Sequence, residues 1–134
     1  MSEIDAVLFA NEAFYLAFAT RDFDAMAAVW AEAEPVSCIH PGWRALTGRP
    51  AVLESWRGIL GNPASPPVTC RNAEALLLGD TAVVLCYEEI AGSLLAATNL
   101  FRRDGSAWRL VHHQAGPCHE APPPAPEPAS GPLQ

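Results

Sequence analysis

The second half of the chain constrains the fold most. Residues 68–77, 81–90, 94–103 and 107–115 are strand-like runs, separated only by the breakers Gly79-Asp80, Gly92-Ser93 and Asp104-Gly105. Parallel neighbours need a crossover of a dozen residues or more, so connections this short force an antiparallel meander. In the run 81–90, Val83, Leu85 and Tyr87 point one way and Ala82, Val84, Cys86 and Ile90 the other. Both faces are apolar, whereas a sheet with one wet face alternates apolar and polar residues. Helices can cover one face only; the other is expected to be a homodimer interface, since large exposed apolar patches are rare on monomers.

The first half reads as helices. Ser2 and Asp5 suit a capping box, and Ile4, Val7, Leu8, Phe14, Tyr15 and Phe18 recur at helical spacing with Asn11 as the polar exception. Asp22 can cap a second helix whose buried side is Phe23, Met26 and Trp30. Residues 36–40 form a short strand stopped by Pro41-Gly42, residues 43–48 a loop, and Pro50 to Gly61 a third helix. Residues 1–118 are expected to be one α+β domain, and residues 119–134 a disordered Pro-rich tail.

Composition excludes some functions. A net charge of −7, no Lys and eight scattered Arg argue against a nucleic-acid surface. The acidic start lacks the basic region of a secretory signal, and no apolar run reaches membrane-spanning length, so a soluble cytoplasmic protein is expected. Cys38, Cys70, Cys86 and Cys118 lack CxxC spacing and are read as free thiols. A metal site can be drawn from Cys38, His40, Cys118 and His119, but the spacing is not that of a zinc site; no metal and no cofactor are expected.

Several local motifs carry a family resemblance: Phe14-Tyr15-x-x-Phe18-x-x-Arg21-Asp22, Cys38-Ile39-His40-Pro41-Gly42-Trp43, Gly48-Arg49-x-x-Val52, and Thr98-Asn99-x-Phe101-Arg102-Arg103-Asp104-Gly105 with Trp108-x-x-Val111-His112-His113. Together with the element order they resemble the SnoaL-like branch of the nuclear-transport-factor-2-like superfamily. The association domain of calcium/calmodulin-dependent kinase is also similar. The resemblance implies an α+β cone, a curved antiparallel sheet wrapped around the first helix, with a pocket at its open end. Relatives include ketosteroid isomerase, scytalone dehydratase, limonene epoxide hydrolase and polyketide cyclases, and others that only bind or assemble, so fold alone does not assign function.

Tried on this sequence, the isomerase pattern matches Tyr15, but Asn99 stands where a protonated acid is required and no Asp fills the base position. The cyclase acid on the last strand corresponds to His113, and His40 with His113 imitates the dehydratase's histidine pair. The epoxide hydrolase relay is absent. His113 as general base and Asn99 as ligand-orienting group are therefore the catalytic candidates. Tyr15, Trp30, His40, Trp43, Trp56 and Phe101 are the candidate pocket lining, although Trp30 and Trp56 also suit the core. Strict alternation puts Arg109, Val111, His113 and Ala115 on one face, and a β-bulge would reverse this. One of Glu88 and Glu89 must point inward or into the interface. Inward, beside Asn99 or His113, it is a candidate acid; pairing with Arg71 or Arg102 across neighbouring strands is the simpler expectation. No complete catalytic set is assembled this way, so the expected function is an apolar small-molecule-binding or assembly module. The alternative is a cofactor-independent isomerase, dehydratase or hydrolase.

Overall fold

The computed structural model describes residues 2–124. Three helices, α1 (Glu3–Thr20), α2 (Phe23–Val29) and α3 (Arg49–Gly61), lie against one sheet of six strands. The strands are β1 (Ser37–Ile39), β2 (Leu46–Thr47), β3 (Val68–Leu78), β4 (Thr81–Ile90), β5 (Ser93–Asp104) and β6 (Ala107–Pro117). Their order is β2-β1-β6-β5-β4-β3, so the antiparallel meander stands as expected and β1 extends it parallel to β6. Strand β2 lies in the stretch read as a loop; two residues paired to β1 are too few to leave a periodic signature.

Local chemistry fixes the helices. Ser2 accepts from the Asp5 N–H at 3.0 Å, and the Asp5 carboxylate accepts from the Ser2 N–H, which closes the capping box. Arg21 takes the left-handed conformation (φ 57°) and ends α1. Asp22 then caps α2 through the Ala25 N–H at 3.0 Å, so the two helices turn back on each other within two residues. Arg49, at the start of α3, donates to the Trp30, Ala31 and Ala27 carbonyls and ties α3 to the C-terminal end of α2.

Alternation along the meander decides what reaches the interior. Ala82, Val84, Cys86 and Glu88 on β4 point at α1, as do Leu95, Ala97, Asn99 and Phe101 on β5. On the other face Leu76, Leu78 and Leu85 are exposed.

The last strand departs from strict alternation. A two-residue turn pairs Asp104 with Ala107 and runs regularly as far as Phe101 opposite Leu110. An unbroken ladder would then set His112 against Asn99. A bulge at Val111 shifts the register, so Leu100 faces His112 and Asn99 faces His113. Trp108 and Leu110 consequently lie on the buried face together with His113 and Ala115, which corrects the grouping of Val111 with His113. Of the tail expected at 119–134, residues 119–124 have no helix or strand, and the rest lies outside the described residues. Among the described residues no helix is long and apolar enough to cross a membrane.

Candidate functional site

The concave side of the sheet and the buried face of α1 bring five polar side chains together: Asn11 and Tyr15 from α1, Glu88 from β4, Asn99 from β5 and His113 from β6. His113 is 1% exposed. Phe14 and Trp56 pack on its ring, with centroids 5.0 and 6.0 Å away. Buried polar groups need partners, and these satisfy one another in a definite order. Asn99 Nδ2 donates to Asn11 Oδ1 at 2.9 Å and to the Tyr15 oxygen at 3.2 Å. The Tyr15 hydroxyl donates to Glu88 Oε2 at 2.6 Å. With both Asn99 donors so used, its Oδ1 accepts from His113 Nδ1–H at 2.6 Å. The imidazole proton is thereby held on Nδ1, and Nε2 lies 3.7 Å from Glu88 Oε2.

The electrostatics arise from burial. Desolvation pushes the Glu88 carboxyl above its usual range, only partly opposed by the Tyr15 hydrogen bond. Desolvation, with the charges of His40 and His112 adding to it, brings His113 down to about 3. Burial, the Glu88 charge and Cys86 hold the Tyr15 phenol well above its ordinary value. Burial therefore favours the uncharged imidazole and the uncharged phenol and weakens the ionisation of the carboxyl between them. His113 and Glu88 thus lie close together, out of solvent, with the aromatic rings of Phe14 and Trp56 against the imidazole.

The other sequence candidates fall around this set or away from it. The His40 ring lies 6.5 Å from that of His113. Ser55 Oγ donates to the Val52 carbonyl, so it accepts from His40 Nε2–H at 2.9 Å, and His40 is committed to anchoring α3. Burial lowers its pKa to about 4. Trp43 is 49% exposed and stands against His40 at 4.8 Å, at the rim. The fully buried Trp56 indole N–H has no partner among the described residues.

Trp30 and Phe101 are not part of the cluster. Trp30 lies beside Leu110, where α2 ends, and lines a separate polar hollow with Arg49 and Arg109. Phe101 is sealed in the core opposite Leu110 and Ala82. Glu88 bonds to neither arginine, and it is Glu89, on the other face, that pairs with Arg71 at 3.4 Å. His112 also faces outward and meets Ser37 Oγ at 2.7 Å. Sequence reasoning noticed Asn11 only as an exception in an apolar stripe. Its place one helical turn before Tyr15 was the signal that it shares that residue's partners.

Comparison with known proteins agrees with the fold. The model of the SnoaL-like domain matches residues 7–118. A protein from Streptomyces avermitilis, described as "a putative dehydratase from the NTF2-like family", is 34% identical; the match covers 88% of this chain and 97% of that one, with a TM-score of 0.79. A protein from Thiobacillus denitrificans, described as a "putative calcium/calmodulin-dependent protein kinase type II association domain", is also 34% identical, over 82% and 93% of the two chains, with a TM-score of 0.73. The F-box protein SKIP8 of Arabidopsis thaliana is 26% identical over 112 residues, 82% of this chain but only 48% of that protein, so the chain spans about half the length of this curated relative. With a single family model covering most of its length and all three helices and six strands in place, the chain belongs to the SnoaL-like family of the nuclear-transport-factor-2-like superfamily.

Proposed function

We propose that this protein is a cofactor-independent acid–base catalyst acting on a small, largely apolar carbonyl compound, in the manner of a dehydratase or isomerase. The observation that carries the reading is the 3.7 Å separation of His113 Nε2 and Glu88 Oε2, with Asn99 bonded to the first residue and Tyr15 to the second. A pure binding module needs only one or two orienting groups, and the closeness of a candidate base and a candidate acid supports the catalytic reading instead. The description of the Streptomyces avermitilis relative points the same way. In a dehydration, His113 Nε2 removes the proton α to the carbonyl. The new C=C forms as the β C–O bond breaks, and the hydroxyl departs as water with the proton of Glu88. Transfer from His113 Nε2–H back to the Glu88 carboxylate restores the starting state, so protons balance over a cycle. The test is 4-hydroxy-4-phenyl-2-butanone as substrate, monitored by the absorbance of the conjugated enone. Catalysed water loss supports the reading. A rate no higher than that of buffer, for this compound and for solvent deuterium exchange into 4-phenyl-2-butanone, sinks it.

A second reading, assembly, rests on the outer sheet face, where Leu76 and Leu85 are 45% and 42% exposed beside Val83 and Leu100. This face is suited to a second copy of the chain. A homodimer buried there is expected to dissociate in the Leu85→Glu variant, because two carboxylates would be desolvated across the symmetry axis. Light scattering should give a dimeric mass for the wild type and a monomeric mass for the variant; a wild-type monomer contradicts it.

A further inference from the structure

The concave cluster is closed, but two of its members reach a surface hollow. Between α1 and β3 lies an open hollow of about 550 Å³. Phe9 and Leu16, 64% and 63% exposed, form one wall, and Asn11, Tyr15 and Cys70 form its floor. Along β3 the ladder breaks between Arg71 and Glu74. Asn72 takes a left-handed conformation (φ 56°), and Ala73, released from pairing, lines the hollow opposite the helix. Exposed aromatic and leucine side chains around a hollow of this size match the usual anatomy of a small-molecule site.

The floor indicates what such a molecule carries. Asn11 is 1% exposed, and its Oδ1 is taken by Asn99. Its Nδ2, with two hydrogens to donate, meets only the sulfur of Cys70 at 3.9 Å among the described residues. Sulfur is a weak acceptor, so a buried amide donor is left nearly unspent beside Cys70, which itself lines the hollow. A ligand oxygen there would complete it. The rim carries Glu12 and the chain a net charge of −7, which disfavour a carboxylate. The Cys70 thiol is held protonated, by its hydrogen bond with Cys86 first and by burial second, so capture is non-covalent.

We infer that the hollow between α1 and the β3 bulge binds a neutral apolar molecule through a single carbonyl group that accepts from Asn11 Nδ2, with its hydrocarbon part against Phe9 and Leu16. This names the ligand class and the point of entry. Binding itself stands apart from the acid–base reading, and only the chemistry after binding rests on it. Asn11 and Tyr15, on the floor of the hollow, are the same residues that hydrogen-bond to Asn99 and Glu88.

The test is equilibrium binding of three probes matched in shape, monitored by NMR chemical-shift changes: 4-phenyl-2-butanone, butylbenzene and 4-phenylbutanoate. The ketone is expected to bind about tenfold more tightly than the hydrocarbon, the worth of one hydrogen bond to a buried donor, and the carboxylate most weakly. The Asn11 side-chain amide and the Ala73 backbone should shift with the ketone. Ala73→Trp, a change at an exposed bulge position whose side chain makes no hydrogen bond to the polar cluster, should fill the hollow and abolish ketone binding while leaving the far-ultraviolet spectrum unchanged. Equal affinity for ketone and hydrocarbon, or undiminished binding in Ala73→Trp, overturns the inference. Selective ketone binding without deuterium exchange or water loss upholds the hollow and refutes the chemistry assigned to His113. Exchange that persists in Ala73→Trp upholds the chemistry and refutes this entry.

Discussion

His113→Ala is expected to lower deuterium exchange into 4-phenyl-2-butanone by about 10²–10⁴-fold, the usual contribution of a positioned general base. The chain should still fold, at a cost. Removing the imidazole empties space beside Phe14 and Trp56 and leaves Asn99 Oδ1 without its donor, a loss of about 1–3 kcal/mol for the unsatisfied group alone. His113→Gln separates the two roles. Its side-chain amide can donate to Asn99 Oδ1 but has no basic lone pair, so it should recover stability without recovering exchange. Glu88→Gln adds a second separation: water loss, which needs an acid, should fall much further than exchange, which needs only the base. If His113→Gln retains exchange near the wild-type rate, His113 is structural.

The second large effect is acid lability. His40 and His113 are held at about 4 and about 3, below the 6.5 of an unfolded histidine. Below pH 6.5 the unfolded chain takes up protons that the folded chain refuses. The stabilisation is complete above that pH and is lost as pH falls through the gap. Each histidine contributes about 1.4 kcal/mol per pH unit, so the pair costs about 4 kcal/mol between pH 6.5 and 5. That is a third or more of the stability of a typical domain. Glu88 acts in the opposite sense. Its raised folded pKa supports the fold fully below 4.5, and this contribution is lost as pH rises toward the folded value. Urea unfolding at about pH 7 and pH 5 should show the midpoint falling sharply with acid, and His40→Gln should remove roughly half of the fall. An unchanged midpoint contradicts the burial of neutral histidines.

Much of this architecture is written in short-range signals. The breakers Gly79-Asp80, Gly92-Ser93 and Asp104-Gly105 leave no topology but a meander, and Ser2, Asp5 and Asp22 announce the starts of two helices. The site was partly legible. Tyr15, Asn99 and His113 came from the resemblance. Glu88 shares the parity of Ala82, Val84 and Cys86, so its inward facing was readable, but its partner was not, because Tyr15 lies seventy-three residues away on a different element. The bulge at Val111 left no trace. Arg109-Leu110-Val111-His112 contains no glycine and reads as regular strand, and the register is set by packing Leu110 and His113 on the same buried face. Trp30 was misplaced for a related reason. A tryptophan on an apolar helix face suits a pocket as well as a core, and only the tertiary fold separates the end of α2 from the cone interior.

Nitrogen-15 NMR of the imidazole ring reads directly whether His113 stands neutral with an unprotonated Nε2, the atom 3.7 Å from Glu88 Oε2. Long-range proton–nitrogen correlations, assigned by loss of the signal in His113→Gln, report which nitrogen carries the proton. The expected result is a proton on Nδ1, an unprotonated Nε2, and no change from about pH 8 to about pH 5. A proton on Nε2, or an imidazolium appearing within that range, contradicts it.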